Sequence, residues 1–329
     1  MTQKIRAKIS GTGSFTPPHL MTNLDFEKIV DTSDEWITTR TGIKERHIAS
    51  DTMTTADMSV EACKRAMDMA KCRKEDIDLV ICGTVTPDYR LPSNACMIQK
   101  ELGLTNALAF DVVAACTGFI NGLVIANSYI STGLYKKALV IGAEKLSAIA
   151  NYKDRTTCVL FGDGAGAVVV EPSANERGIV SSFMKSDGRL WQLLWMEVGG
   201  IKNPYTPEFP YDGSDKIFMN GAEVFKVAVK EMAKAVENVL EKANVSPSDI
   251  ALFVPHQANL RIIDALAKRL KISPERVFKN IEKYGNTSAA SVPIALDEAN
   301  REGRIKPGDY VVVVAFGGGL IWGSALIKW

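Results

Sequence analysis

Three positions in this 329-residue sequence join a reactive or polar side chain to a neighbourhood suited to chemistry. In Phe110-Asp111-Val112-Val113-Ala114-Ala115-Cys116-Thr117-Gly118-Phe119 an apolar run ends on a cysteine, and a helix-like pattern follows at once. A thiol at such a junction feels the partial positive charge of a helix N-terminus, which lowers its pKa and favours the nucleophilic thiolate. The position reads equally as a small core residue, as Cys63, Cys82 and Cys96 do. His256, in Val254-Pro255-His256-Gln257-Ala258-Asn259, follows an apolar run and a proline; the only other histidines are His19 and His47. Imidazole is the usual general acid or base near neutral pH, although a single histidine at a sheet rim also serves as a satisfied core or capping group. Tyr284-Gly285-Asn286-Thr287-Ser288-Ala289-Ala290-Ser291 crowds small polar residues into a turn before a helix. A helix N-cap accounts for Ser291 but not for the group around Asn286. In Phe316-Gly317-Gly318-Gly319-Leu320-Ile321-Trp322-Gly323, three glycines follow an apolar run. They expose backbone N–H groups suited to an oxyanion hole, where a plain tight turn needs one glycine. Each feature alone is ambiguous; their joint occurrence at equivalent strand ends is not.

The elements that must position these points alternate short apolar runs with longer amphipathic segments, the pattern of an α/β protein. Strands are expected at 7–9, 78–82, 109–115, 138–142, 165–170, 250–255 and 310–316, and helices at 55–70, 119–132, 224–243, 260–270 and 292–303. The order repeats. Asp76-Ile77-Asp78-Leu79-Val80-Ile81-Cys82 resembles Asp249-Ile250-Ala251-Leu252-Phe253-Val254-Pro255, and Ala138-Leu139-Val140-Ile141-Gly142 resembles Tyr310-Val311-Val312-Val313-Val314. We therefore expect two duplicated halves, 1–172 with the cysteine and 173–329 with the histidine and asparagine, joined in the Pro/Ser/Asn/Gly stretch 171–178. Residues 185–220 have no clear period and carry Trp191, Trp195, Tyr205, Phe209 and Tyr211, as expected of a pocket wall or lid.

Composition narrows the class. A net charge of +1 excludes a strongly basic nucleic-acid surface, so no nucleic-acid partner is expected. No apolar run approaches the roughly 18 to 20 residues that span a bilayer, and Met1-Thr2-Gln3-Lys4-Ile5-Arg6-Ala7-Lys8 lacks a signal-peptide apolar region. A cytoplasmic protein without membrane insertion follows. The six cysteines form no C-x-x-C pair and have no histidine at metal spacing, so no metal site is expected.

The runs around Cys116, His256, Asn286 and Gly318 closely resemble the β-ketoacyl-acyl-carrier-protein synthase III family, which initiates bacterial type II fatty-acid synthesis. So do Asp34-Glu35-Trp36-Ile37-Thr38-Thr39-Arg40-Thr41-Gly42-Ile43 and Phe161-Gly162-Asp163-Gly164-Ala165-Gly166-Ala167. The resemblance covers essentially the whole chain. It implies a five-layered α-β-α-β-α thiolase fold, an obligate homodimer, and no metal or redox cofactor. It implies that Cys116 takes an acyl group from acyl-CoA, and that the acyl-enzyme condenses with malonyl-acyl-carrier protein with loss of carbon dioxide. His256 and Asn286 would stabilise the enolate, and the N–H groups of Cys116 and Gly318 would hold the tetrahedral oxyanion.

By the same resemblance, Trp36 and Arg155 flank the adenine of coenzyme A, and Thr32, Arg40, Gly221, Phe225, Ala258 and Asn259 line the pantetheine tunnel. Arg261, Lys268 and Arg269 fall on one helix face, with Lys226 on another helix, and would attract an acidic carrier protein. Leu91 stands where acetyl-specific members carry a phenylalanine that closes the acyl pocket from the partner subunit, so longer or branched primers are expected. Other readings are a related thiolase-fold acyltransferase making a quinolone or polyketide starter, and a non-catalytic acyl-CoA-binding module.

Overall fold

The computed structural model describes residues 5–173, 175–206 and 212–329. Phe209 and Tyr211, the first four residues and position 174 of the expected join lie outside them. Two sheets carry the fold. The first has five strands in the order Arg6–Phe15, Gly164–Ser173, Ala138–Glu144, Leu79–Gly83, Leu108–Val112. Its last three strands pair in parallel, and its first two pair antiparallel. The second sheet has four strands in the order Ile250–Pro255, Tyr310–Gly317, Ile321–Lys328, Gly178–Ser186, with only the first pair parallel.

Between the sheets lie helices Gly118–Ser131 and Ser291–Arg301. The first carries no charged residue, which suits a helix covered on both faces. The second buries Asp297, whose carboxylate accepts hydrogen bonds from Thr12 Oγ1 and Ser14 Oγ, each 2.7 Å long, and from Arg301 Nε. Helices Thr55–Ala70 and Asn94–Leu102 cover the outer face of the first sheet, and Gly221–Ala243 and Leu260–Leu270 that of the second. These are five layers, α-β-α-β-α.

Helices Thr55–Ala70 and Leu260–Leu270 and strand Ile250–Pro255 span the residues expected of them. Elsewhere the ends differ. The strand expected at 109–115 stops at Val112, because Val113 turns to the surface and Ala115 adopts φ 46°. Strands Gly178–Ser186 and Ile321–Lys328 were not anticipated: serines and glycines interrupt their apolar pattern. A Cβ on Gly323 would fall on the Met184 side chain of the paired strand and 2.9 Å from the Phe183 carbonyl oxygen, so glycine lets the two strands pair without displacing either. The aperiodic segment holds a short two-stranded pairing of Leu194–Trp195 with Phe218–Met219, and Trp191 meets Trp195 edge to face.

Candidate active site

Cys116 sits on a tight 3-10 turn, Ala115–Thr117, between strand Leu108–Val112 and helix Gly118–Ser131. The helix can begin there because Gly118 packs its backbone directly on that of Gly83 in the adjoining strand. The glycine triplet passes just above: a Cβ on Gly317 would lie 2.6 Å from the Cys116 backbone nitrogen and 3.0 Å from Ala115 Cβ. Any side chain at Gly317 would therefore push the two strand ends apart. Gly318 follows beside Leu194 and Ala115.

Two effects oppose each other at the Cys116 thiol. Burial pushes the Cys116 thiol up to about 12; a hydrogen bond with Ser288 acts against the rise and the nearby Glu144 carboxylate adds to it. The regular helix begins two residues later, and the field of its N-terminus acts against that rise.

His256 continues strand Ile250–Pro255 by one residue, donating its backbone N–H to Val314 O at 2.8 Å. Its ring Nδ1 meets Ser291 Oγ at 2.6 Å, and burial lowers its pKa to about 3. The imidazole is thus neutral at ordinary pH, with Nε2 left for a ligand. Ser291 was expected to cap a helix. Instead Ala290 occupies the cap without a side-chain bond, and the Ser291 hydroxyl serves the imidazole.

Asn286 is held by its backbone, which donates to Leu160 O at 2.7 Å and accepts from Gly162 N at 3.1 Å. Its Oδ1 accepts the Ser288 N–H at 2.9 Å, which fixes the amide plane and leaves Nδ2 as a donor. Residues 160–166 thus anchor Asn286 at one end, and at the other Gly166 admits the backbone of helix Ser291–Arg301.

Cys116, His256 and Asn286 come together as the floor of a cavity of about 670 Å³. Trp36, Arg40, Gly221, Phe225, Lys226, Ala258, Asn259 and Arg261 also line it. Asn259 caps helix Leu260–Leu270 and donates to Arg40 O, so it ties two sides of the mouth together. Arg40 and Arg155 lie over the Trp36 ring at 5.1 and 5.2 Å from its centroid. Arg155 itself is outside the lining and donates to Asp31 O at 2.6 Å. Thr32 also stands outside it, with a buried hydroxyl that has no hydrogen-bond partner.

Lys268 and Arg269 are exposed further along helix Leu260–Leu270, away from the mouth, and Lys226 pairs with Glu223 at 2.7 Å. Leu91 is 87% exposed and does not reach the cavity of its own chain. Sequence reasoning missed Leu194, Met219, Phe316 and Met232 in the walls, and Glu144 behind the floor. Leu194 and Met219 come from the aperiodic segment, whose aromatic and glycine content was the available signal.

Among the described residues, no group of three or more His, Cys, Asp or Glu side chains is placed to hold a metal. No helix among them is long and apolar enough to cross a membrane.

The layered architecture is the thiolase fold. A solved 3-oxoacyl-[acyl-carrier-protein] synthase III from Aquifex aeolicus superposes with TM-score 0.92 at 51% identity, covering 98% of this chain and 100% of that one. A priming β-ketosynthase of the R1128 polyketide pathway gives TM-score 0.92 at 35% identity, covering 99% of this chain and 97% of that one. The class is therefore that of thiolase-fold condensing acyltransferases. Residues 110–188 match the family model of 3-oxoacyl-[acyl-carrier-protein (ACP)] synthase III, and residues 240–329 match the model of its C-terminal part. A β-ketoacyl-[acyl-carrier-protein] synthase III of Caldanaerobacter subterraneus subsp. tengcongensis is 54% identical over 100% of this chain and 99% of its own length. The chain belongs to the β-ketoacyl-[acyl-carrier-protein] synthase III family, whose condensing activity serves fatty-acid biosynthesis.

Proposed function

We propose that Cys116 is the nucleophile of a two-stage reaction in which an acyl-CoA primer first acylates its sulfur. The thiol attacks the thioester carbonyl, the S–acyl bond forms, and coenzyme A departs. Malonyl-acyl-carrier protein then loses carbon dioxide, and its α-carbon attacks the Cys116 acyl group. The sulfur leaves, and β-ketoacyl-acyl-carrier protein is released. The observation that carries this reading is the meeting of a thiol, a neutral imidazole and an oriented carboxamide on the floor of one narrow cavity.

Both His256 Nε2 and Asn286 Nδ2 act as neutral donors to the malonyl thioester oxygen. Charge grows on that oxygen as carbon dioxide leaves, so fixed donors stabilise the transition state more than the ground state. For this role His256 must be protonated on Nε2, which follows if Nδ1 accepts the Ser291 hydroxyl proton. The N–H groups of Cys116 and Gly318 hold the tetrahedral oxyanion. The substrates bring their own thioester activation, so no cofactor or metal is needed.

Coenzyme A enters past Trp36, with its pantetheine arm along Arg40, Gly221, Phe225, Ala258 and Asn259 and its adenine between Trp36 and Arg155. An adenine needs about 7 Å between those groups, two contact layers of about 3.5 Å. Arg155, at 5.2 Å, must swing away from Asp31 on binding. Thr32, next to Asp31, has a buried hydroxyl without a partner, which must turn outward to reach the nucleotide. Lys226, Arg261, Lys268 and Arg269 form the carrier-protein face. The enzyme works as a cytoplasmic homodimer in which Leu91 of one subunit bounds the acyl pocket of the other, and the duplicated halves divide near residue 172.

Intact mass spectrometry after incubation with acetyl-, isobutyryl- and hexanoyl-CoA tests the reading. One acyl group on Cys116 is expected, with the longer or branched primers accepted. Acylation elsewhere, or full condensation by Cys116→Ala, overturns the nucleophile; strict acetyl preference overturns the Leu91 assignment.

A further inference from the structure

Two sets of contacts fix Asn286, and they do different things. Its backbone bonds to Leu160 and Gly162 decide where the residue stands, but not which way its carboxamide faces. Among the described residues the carboxamide has one hydrogen bond, from the Ser288 N–H to Oδ1 at 2.9 Å. Ser288 is itself held at φ 48°, a left-handed conformation that costs a residue with a Cβ and persists only where the surroundings enforce it. The direction of the Asn286 carboxamide thus depends on a strained turn, and the turn needs an anchor.

Glu144 ends strand Ala138–Glu144 with no exposed surface and supplies that anchor. A buried carboxylate must be satisfied, and this one is satisfied unevenly. Its Oε2 accepts Thr84 Oγ1 at 3.2 Å, Val85 N at 3.1 Å, Thr86 N at 3.2 Å and Thr86 Oγ1 at 2.7 Å. These donors follow strand Leu79–Gly83, the parallel neighbour of Glu144's own strand, and they immobilise the carboxylate from one side. Its Oε1 accepts a single bond, from Ser288 Oγ at 3.2 Å. Residues two apart in a strand face the same side, and Gly142 precedes Glu144 by two. A Cβ on Gly142 would fall on the Ala289 carbonyl oxygen. The strand therefore seats the turn Ser288–Ala290 against its bare backbone at Gly142 and holds the first residue of that turn with Glu144.

We propose that Glu144 is a positioning residue for Asn286, acting through Ser288, a proposal that rests on Asn286 being a donor in the condensation step. The carboxylate holds the Ser288 hydroxyl, the hydroxyl holds the left-handed turn, and the turn aims its N–H at Asn286 Oδ1. With Oδ1 engaged, Nδ2 is the end of the carboxamide left for the malonyl thioester. Once the turn relaxes, the carboxamide is free to rotate, and its oxygen can then face the atom on which negative charge develops. A carboxylate suits this task better than a carboxamide would. The N–H groups of Val85 and Thr86 can only donate, so they claim an acceptor oxygen. A glutamine has one such oxygen. Its NH2 would face Ser288, whose hydroxyl would have to accept from a neutral partner instead of donating to an ionised one.

Single-turnover condensation tests the link: enzyme already acylated on Cys116 is mixed with saturating malonyl-acyl-carrier protein, which removes acylation and substrate capture from the rate. Glu144→Gln and Ser288→Ala are each made in the unaltered enzyme and in Asn286→Ala. Glu144→Gln keeps the volume of the side chain, so it decides the matter even where Ser288→Ala folds poorly. In the unaltered enzyme Ser288→Ala should slow condensation about tenfold and Glu144→Gln a few-fold, both less than the loss on deleting the donor itself. In Asn286→Ala neither should slow it further by more than about twofold, because a residue that acts through Asn286 has nothing left to position. Losses that add in full to that of Asn286→Ala, or a Glu144→Gln enzyme that condenses at the unaltered rate, overturn the proposal. A normal condensation rate in Asn286→Ala alone would instead overturn the reading on which it rests.

Discussion

The floor and the mouth of the cavity are built on opposite principles. On the floor, His256, Ser288, Ser291 and Glu144 have 4% or less of their surface exposed and Asn286 8%, and protein partners fix His256 Nδ1, Asn286 Oδ1 and both Glu144 oxygens. At the mouth, Trp36, Arg40, Lys226 and Arg261 are half-buried or exposed and are held by stacking and single ion pairs. A fixed dipole stabilises developing charge only if it need not reorganise, whereas a surface that receives two different carriers in turn must be able to rearrange. Floor substitutions should therefore act on the chemical steps, and mouth substitutions on substrate capture.

The largest effect should come from the sulfur. Cys116→Ala should abolish both the acyl adduct and condensation, measured by mass spectrometry and product formation. Next come the donors: Asn286→Ala or His256→Ala should each slow condensation by about 10² to 10³ while Cys116 is still acylated. If either variant instead lost acylation equally, the division of labour on the floor would be wrong.

The floor also has a pH signature. His256 has a folded pKa of about 3, below its usual 6.5, so between those values the unfolded chain binds the extra proton. Stability should fall as pH drops from 6.5 to 3, by about 1.4 kcal/mol per pH unit from this group. Glu144 is raised to about 7 from 4.5, so in its window the folded state holds the extra proton and stability falls as pH rises. The two slopes oppose each other between pH 4.5 and 6.5. Denaturant titrations of Glu144→Gln should show the histidine slope uncovered there, and a flat profile would break the assignment.

Much of this was legible because it is local. Thr54 and Asp57 form a capping box at the start of helix Thr55–Ala70, and Asn259 caps Leu260–Leu270, so both ends could be read from neighbouring residues. Cys116, His256 and Asn286 each stand just after an apolar run or in a polar turn, so their types and positions already marked them. What could not be read depends on contacts between distant residues. The partners of Glu144 lie 60 and 144 residues away, and in sequence it is only a charge at a strand end. Ser291 occupies a position that local rules give to a cap, and only the approach of His256, 35 residues earlier, turns it into a ring partner. The desolvation of the Cys116 thiol is likewise set by every layer packed around it.

At the mouth the effects should be smaller and of another kind. Trp36→Ala removes a stacking face worth about 1 to 3 kcal/mol for a base, so KM for acyl-CoA should rise roughly tenfold or more with kcat nearly kept. Charge reversal at Arg261 or Lys226 should be milder still. These side chains are exposed, and Lys226 already shares its charge with Glu223. Each contributes through long-range attraction that salt screens. We expect a few-fold rise in KM for malonyl-acyl-carrier protein at low ionic strength that disappears at about 0.5 M salt. A loss that persists in high salt, or one that falls on kcat, would mean that these residues hold the floor in place, and the distinction between a rigid floor and an adaptable mouth would not survive it.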